Sequence, residues 1–194
     1  MMLVYDCEII NRIPEAGGYK DPRYTYCDGW KDFQNMGISV IAYGCINTSI
    51  QITHSKHPDF SSFQKAVNNA ERIMGFNSKE FDDKLCAANN IQVTTTYDLL
   101  EEVRIAAYGS PNWEDQPEGF SYSLGAIAKA NKMSKTGSGT QAPKLWQQGL
   151  KQDVITYCIN DVRMTANIYL LGIKGVLIDP NTGVNLLLPE AKAC

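Results

Sequence analysis

The sequence is poor in the residue patterns that build zinc sites. It has two histidines, His54 and His57, and its six cysteines are scattered without a C-x-x-C pair. Structural zinc sites are usually assembled from closely spaced cysteine and histidine ligands. The pattern therefore argues against a zinc site and favours reduced thiols, several of them small core residues.

Long apolar runs are absent as well. No stretch approaches the roughly 18 apolar residues of a membrane-spanning helix. The acidic Asp6 follows the start too closely for the basic and apolar regions of a secretion signal. We therefore expect a cytoplasmic protein without membrane association, and the sequence gives no sign of an obligate protein partner.

Positive charge is not in excess, because 18 Lys and Arg residues face 21 Asp and Glu residues and give a net charge of -3. Any anionic partner must therefore be held by local features. Glycine-rich phosphate loops of the G-x-G-x-x-G or G-x-x-x-x-G-K type are also missing, which disfavours an α/β enzyme that acts on small molecules. Hydrophobic residues make up 44% of the chain, as in ordinary folded domains.

The apolar periodicity predicts one α/β domain over residues 1–194, with helices on both sides of a sheet. Its end, residues 173–194, is predicted to be a hairpin and tail. Predicted strands cover 2–9, 37–46, 49–53 with a turn at 47–48, 73–76, and a β-prone run at 92–97. Predicted helices begin near Pro58 and at Asn77, which forms a capping box with Glu80, and cover 98–107, 123–131 and 153–171.

The first candidate site is the pair Asp6 and Glu8. Alternation along a strand places both carboxylates on one face, with Tyr5 and Cys7 on the other. Two like charges on a buried strand need a cation between them, and a divalent metal ion would serve. The alternative is that an isolated D-x-E pair overhangs the strand end into solvent.

The second candidate lies where a strand ends and a helix begins, the usual position of ligands in open α/β sheets. On a helical wheel Asp82 lies about 100° from the apolar Phe81, at the boundary between core and water. Asp83 lies about 200° away, which predicts a solvated surface charge. We therefore select Asp82.

The third candidate is Tyr157 with Asp161. Their spacing of four places the hydroxyl and the carboxylate on one face of a long helix, one turn apart. Taken alone, Tyr157 is better explained as a core tyrosine of that face, but its register with Asp161 favours a role in the site. Asp153, at the start of the same helix, is more simply explained as a cap.

The three motifs in this order resemble those of the DEDD superfamily of 3′-to-5′ exonucleases, in its tyrosine, DnaQ-like subclass. The histidine subclass would need a histidine shortly before Asp161, and both histidines lie far upstream. The resemblance runs from residue 3 to about residue 168. Its motifs are Asp6-x-Glu8, Asn77-x-x-x-Phe81-Asp82 and Tyr157-x-x-x-Asp161.

The resemblance implies a ribonuclease H-like fold with a mixed five-stranded sheet flanked by helices. It also implies hydrolysis of single-stranded or frayed DNA or RNA ends with two Mg²⁺ or Mn²⁺ ions. In this sequence Tyr157 would orient the attacking water. The implied metal ligands are Asp6, Glu8, Asp82 and Asp161, and the implied nucleic-acid contacts include Asn77 and Phe81. The alternative function is a catalytically weak nucleic-acid-binding module of the same fold.

Two segments are candidates for substrate contact. No acidic residue occurs between Glu118 and Asp153, where Lys135 and Lys144 are among five lysines. This window is predicted to follow a phosphate backbone, or to be an ordinary connection. The long segment 11–35 mixes aromatic and charged residues. One interpretation is that these aromatic side chains stack on unpaired bases. The favoured interpretation is that they pack the segment onto its own domain.

Overall fold

The computed structural model describes residues 1–15, 17, 19–46, 51–134 and 139–191. It has a mixed five-stranded sheet with apolar cores on both faces, and a two-stranded hairpin near the C-terminus. The strands are β1 (Met2–Ile9), β2 (Ile38–Ile46), β3 (Gln51–Lys56), β4 (Arg72–Gly75), β5 (Tyr97–Asp98), β6 (Leu177–Ile178) and β7 (Asn185–Leu186). The helices are α1 (Phe33–Met36), α2 (Ser61–Asn68), α3 (Asp82–Ala88), α4 (Leu99–Tyr108), α5 (Leu124–Ala130), α6 (Ala142–Gln147) and α7 (Lys151–Ile173).

β1 is the central strand of the order β3-β2-β1-β4-β5, antiparallel to β2 and parallel to β4. Its alternation sends Val4 into the core that α7 covers, and Tyr5 and Cys7 into the opposite core under α2 and α3. Asp6 and Glu8 therefore lie on the α7 face. The predicted mixed five-stranded sheet with a C-terminal hairpin is confirmed.

The short length of β4 exposes the end of β1. The two strands pair only from Met2 to Val4, so the later residues of β1 run past the end of β4. After Gly75 the chain turns sharply, and a Cβ atom there would lie 2.3 Å from Ser78 Oγ. Glycine permits this close approach, which brings the following segment back toward β1.

The predicted helix cap at Asn77 is wrong. The helix begins at Asp82, and Asn77 instead has a left-handed φ of 60°. Its backbone N–H donates to Asp98 Oδ1 at 2.9 Å. A partner from a distant part of the chain therefore determines this turn, and the local sequence pattern does not.

Other differences concern element ends. Within the run 92–97 only Tyr97 lies in a strand, β5, and neither α1 nor α6 was predicted. Helix α7 begins at Lys151 after Leu150, so Asp153 lies in the first turn and is not the cap. The predicted turn at 47–48 and the first residues of the third strand lie outside the described residues. No described helix has both the length and the apolarity needed to cross a bilayer.

Candidate active site

One cavity of about 760 Å³ collects the predicted catalytic residues at the end of β1. Glu8 is only 6% exposed and Asp6 is half-buried. Helix α7 supplies two buried members from one face, as its four-residue spacing requires. The predicted residues that line the cavity are Asp6, Glu8, Asp82, Tyr157 and Asp161.

Asp82 is held against β1 by the backbone. Its Oδ1 accepts the N–H of Cys7 at 3.0 Å. This N–H lies on the part of β1 that extends past β4, so the carboxylate takes the place of a strand partner. Burial raises the pKa of Asp82 to about 7, although the bond from Cys7 opposes the shift. A cation near Asp82 would favour its ionised form.

Tyr157 keeps its proton. The side chain is 7% exposed, and burial raises the pKa of its hydroxyl far above the ordinary value. The negative charges of Glu8, Asp161 and Asp6 raise it further, and the hydroxyl is hydrogen-bonded to Asp161. Three carboxylates therefore act on this one hydroxyl, which lies among them as a neutral donor.

Cys158 is a neighbour of the site that sequence reasoning missed. Its Sγ lies 3.3 Å from the backbone oxygen of Asp6 and 3.5 Å from Asp6 Oδ2. Among the described residues, ligand atoms of Asp6, Glu8 and Cys158 form a group within 4.8 Å of one another. The three-residue spacing from Cys158 to Asp161 was the available signal.

Asp83 is not the solvated charge that the helical wheel predicts. Its Oδ1 accepts the hydroxyl of Tyr5 at 2.5 Å, and its Oδ2 accepts the N–H of Thr95 at 2.8 Å. Thr95 Oγ1 also donates to Asp83 Oδ1 at 2.9 Å. Asp83 therefore ties α3 to β1 from the side opposite the cavity.

Asp98 is a positioning residue whose role the sequence left open. It is 2% exposed, and its carboxylate accepts the backbone N–H groups of Asn77, Lys79 and Leu100 at 2.9 to 3.1 Å. These bonds fix the turn that leads into Asp82. The sequence predicts a helix that begins at this residue, but it gives no sign of the long-range bonds to Asn77 and Lys79.

The predicted nucleic-acid contacts divide into three groups. Asn77 and Phe81 line the cavity. Lys144 is half-buried on α6 and is not part of the described lining, whereas its neighbour Pro143 is. Lys135 lies outside the described residues.

Described parts of the long segment 11–35 pack against the rest of the domain, although Tyr19 and Trp30 remain exposed. The Phe81 ring contacts Phe33 and Trp30 edge-on, with centroids 5.7 and 6.3 Å apart. Gln147 of α6 donates to Ile10 O and bonds both backbone groups of Thr25. This segment therefore forms one wall of the site.

The donor set fits a hard divalent cation. The four predicted metal ligands line the cavity together with a fifth carboxylate, Glu15. The guanidinium of Arg12, which also lines the cavity, is bonded to Glu15 at 2.9 Å and to Tyr26 at 2.5 Å. The positive charge of Arg12 is thus directed to other partners. Carboxylate oxygens are the ligands that Mg²⁺ and Mn²⁺ prefer.

Neither a family profile nor a curated protein sequence matches this chain, but solved structures do. The family B DNA polymerase from the hyperthermophilic archaeon Pyrobaculum calidifontis is 15% identical, with a TM-score of 0.59 over 95% of this chain and 26% of the polymerase. Two structures of exonuclease I, one the zinc-bound E. coli enzyme with single-stranded DNA, are 14% and 12% identical with TM-scores of 0.44 and 0.41. Each match covers 91% of this chain and 44% of the exonuclease I chain. The chain spans about a quarter of the polymerase and under half of exonuclease I. The polymerase likeness shows a shared fold, consistent with the expected ribonuclease H-like architecture.

Proposed function

We propose that residues 1–194 form a single metal-dependent 3′-to-5′ exonuclease domain that hydrolyses phosphodiester bonds at single-stranded or frayed DNA or RNA ends. The observation that carries the proposal is the convergence of four carboxylates and Tyr157, from three separate motifs, on one cavity. Such a concentration of buried negative charge is costly unless a cation shares the site.

Asp6, Glu8, Asp82 and Asp161 would hold two Mg²⁺ or Mn²⁺ ions. When bound, such ions neutralise charge at the phosphate and supply hydroxide at neutral pH. Tyr157 is bonded to Asp161 and keeps its proton. Its oxygen lone pairs therefore remain able to accept a hydrogen bond from the attacking water and to orient that water toward phosphorus.

Apolar side chains on the other walls would receive the terminal nucleotide. Phe76, Phe81 and Leu124 line the cavity beside the carboxylates. They offer contacts to a base and exclude water from the reacting centre. We further propose that Asn77 contacts the strand and that Lys135 and Lys144 contact its phosphates.

The test is release of acid-soluble nucleotides from single-stranded DNA, duplex DNA and single-stranded RNA. We expect release in Mg²⁺ or Mn²⁺ and none in EDTA, and Asp6→Ala or Asp161→Ala should reduce it to background. Asp153→Ala is the matched control, because Asp153 is an exposed carboxylate of the same helix. Full activity in EDTA, or in both cavity variants, would refute the proposal. Binding by the wild type without release would identify the chain as a binding module.

A further inference from the structure

A second cavity of about 1370 Å³ adjoins the catalytic cavity. Trp30 and Asn77 line both of them. From Trp30 the second cavity follows α4 to the loop at residues 111–114, and we call it the tryptophan groove. Because the two cavities share these lining residues, a ligand that leaves the catalytic cavity past Trp30 reaches the groove.

The groove carries two exposed indoles. Trp30 and Trp113 are each 67% exposed, whereas the third tryptophan, Trp146, is 7% exposed. Large exposed aromatic side chains in a concave surface mark a binding site more often than a plain solvent face. Two of them within one groove provide two flat surfaces for a ligand with flat groups.

Both indoles have rigid supports. Trp30 packs edge-on against Phe81, which contacts the catalytic cavity. Trp113 begins a short 3₁₀ helix, Trp113–Asp115. Helix α4 holds the residues just before it, since Arg104 Nη1 donates to Pro111 O at 3.3 Å and the hydroxyl of Tyr108 donates to Asn112 O at 3.0 Å. A pinned platform loses little entropy when a ligand stacks on it.

The charges of the groove select between ligands. Of its four carboxylates, Glu80 is paired with Lys84 and Glu101 with Lys79, whereas Glu114 is exposed. Asp98 is buried and bonded to three backbone N–H groups. Three of the four carboxylates are therefore already engaged, which leaves only Glu114 to a basic peptide and disfavours such a peptide as the ligand. The groove also offers few cations to phosphates, so a nucleic acid would turn its bases inward and its phosphates toward solvent.

We propose that the tryptophan groove binds unpaired nucleotides upstream of the 3′ end by stacking their bases on Trp30 and Trp113. This inference rests on the proposed function and specifies its substrate as a strand with a single-stranded tail. A duplex would have to unpair to bring its bases onto both indoles, so frayed or unpaired ends are selected by geometry. Stacking also tolerates any base sequence, because every base has a flat face.

The test is tryptophan fluorescence titrated with oligothymidylates of 2 to about 10 nucleotides in EDTA, where no cleavage interferes. We expect quenching that increases with length. The Trp30→Phe, Trp113→Phe double variant, which retains only the buried Trp146, is the control that assigns the quenched signal to the two groove indoles. Trp113→Ala should weaken binding of the longer oligonucleotides by about 5- to 150-fold, the worth of one stacked base. Tyr19→Ala is the matched control, since Tyr19 is 74% exposed on the same long segment as Trp30 but does not line the groove.

Three outcomes would overturn the inference. The first is that oligothymidylate does not quench the wild-type fluorescence, and the second is that Trp113→Ala binds long oligonucleotides as tightly as the wild type. The third is quenching by oligolysine but not by oligothymidylate. The last would make the groove a site for a basic peptide. Quenching with the expected length dependence, in a protein that releases no nucleotides in Mg²⁺ or Mn²⁺, would support the groove and refute the proposed nuclease. Nucleotide release without quenching would support the proposed nuclease and refute binding in the groove.

Discussion

At the scale of single residues, two adjacent aspartates act on opposite sides of β1. Asp82 accepts the N–H of Cys7 and lines the cavity, whereas Asp83 binds Tyr5 and Thr95 behind it. Substitution of either one changes an acid at the start of α3. The two substitutions should nevertheless affect different properties of the protein, one its activity and the other its stability.

Asp83→Ala should lower the free energy of unfolding by about 2 to 4 kcal/mol, because the Tyr5 hydroxyl and the Thr95 N–H both lose their acceptor. Urea unfolding followed by circular dichroism measures this. Glu80→Ala is the control, since it removes an exposed acid whose pair with Lys84 is worth about 0 to 1 kcal/mol. Unchanged stability in Asp83→Ala would show that the network is not structural.

Tyr157→Phe should lower single-turnover cleavage by roughly 10- to 1,000-fold while metal and strand affinities stay within a few-fold of the wild type. The phenyl ring preserves the packing of a side chain that is 7% exposed. Only the hydroxyl that orients water is lost. Parallel loss of strand affinity and cleavage would instead assign Tyr157 to packing.

At the scale of elements, α6 acts as an anchor for the long segment 11–35. Gln147 bonds Ile10 O at 2.8 Å, Thr25 N at 2.8 Å and Thr25 O at 3.1 Å. The side chain of Gln148, the next residue, donates instead to the side-chain hydroxyl of Tyr24. The two glutamines therefore separate anchoring of the backbone from contact with one side chain.

Gln147→Ala should increase hydrogen exchange at the Thr25 amide by about 2- to 10-fold, which corresponds to the net worth of the lost hydrogen bond. Exchange read by NMR or mass spectrometry measures the effect. Gln148→Ala should leave the Thr25 amide as in the wild type. Equal exchange at Thr25 in the two variants would show that α6 does not anchor the segment.

Elements with a strong local pattern were predictable from sequence. The alternation in β1 and the four-residue spacing in α7 depend on side chains within one element, and both place their carboxylates in the cavity. Features decided by distant partners were not predictable. The turn at Asn77 depends on Asp98, and the environment of Asp83 depends on Tyr5 and Thr95.

Helix α6 illustrates a second limit. It has only six residues, from Ala142 to Gln147, which is too short for a clear apolar period. Its buried members, among them Trp146, pack into the core that α7 covers. Tertiary packing therefore stabilises a helix that the local sequence does not predict.

At the scale of the whole molecule, the sheet order explains why distant motifs meet. The central strand β1 extends past the short β4, and the turn after β4 returns to the edge of β1 that β4 leaves unpaired. Helix α7 packs across one face of β1. Three chain segments thereby place acidic side chains in one cavity. The net charge of -3 gives no long-range attraction for a polyanion, so binding depends on local contacts.

The most direct test of the central claim is the direction of strand shortening at single-nucleotide resolution. The same single-stranded oligonucleotide is labelled at its 5′ end or at its 3′ end and incubated with the wild type in Mg²⁺. The 5′ label should appear in a ladder that shortens one nucleotide at a time, and the 3′ label should appear at once as a mononucleotide. Internal fragments from either substrate, or early release of the 5′ label as a mononucleotide, would contradict a 3′-to-5′ exonuclease.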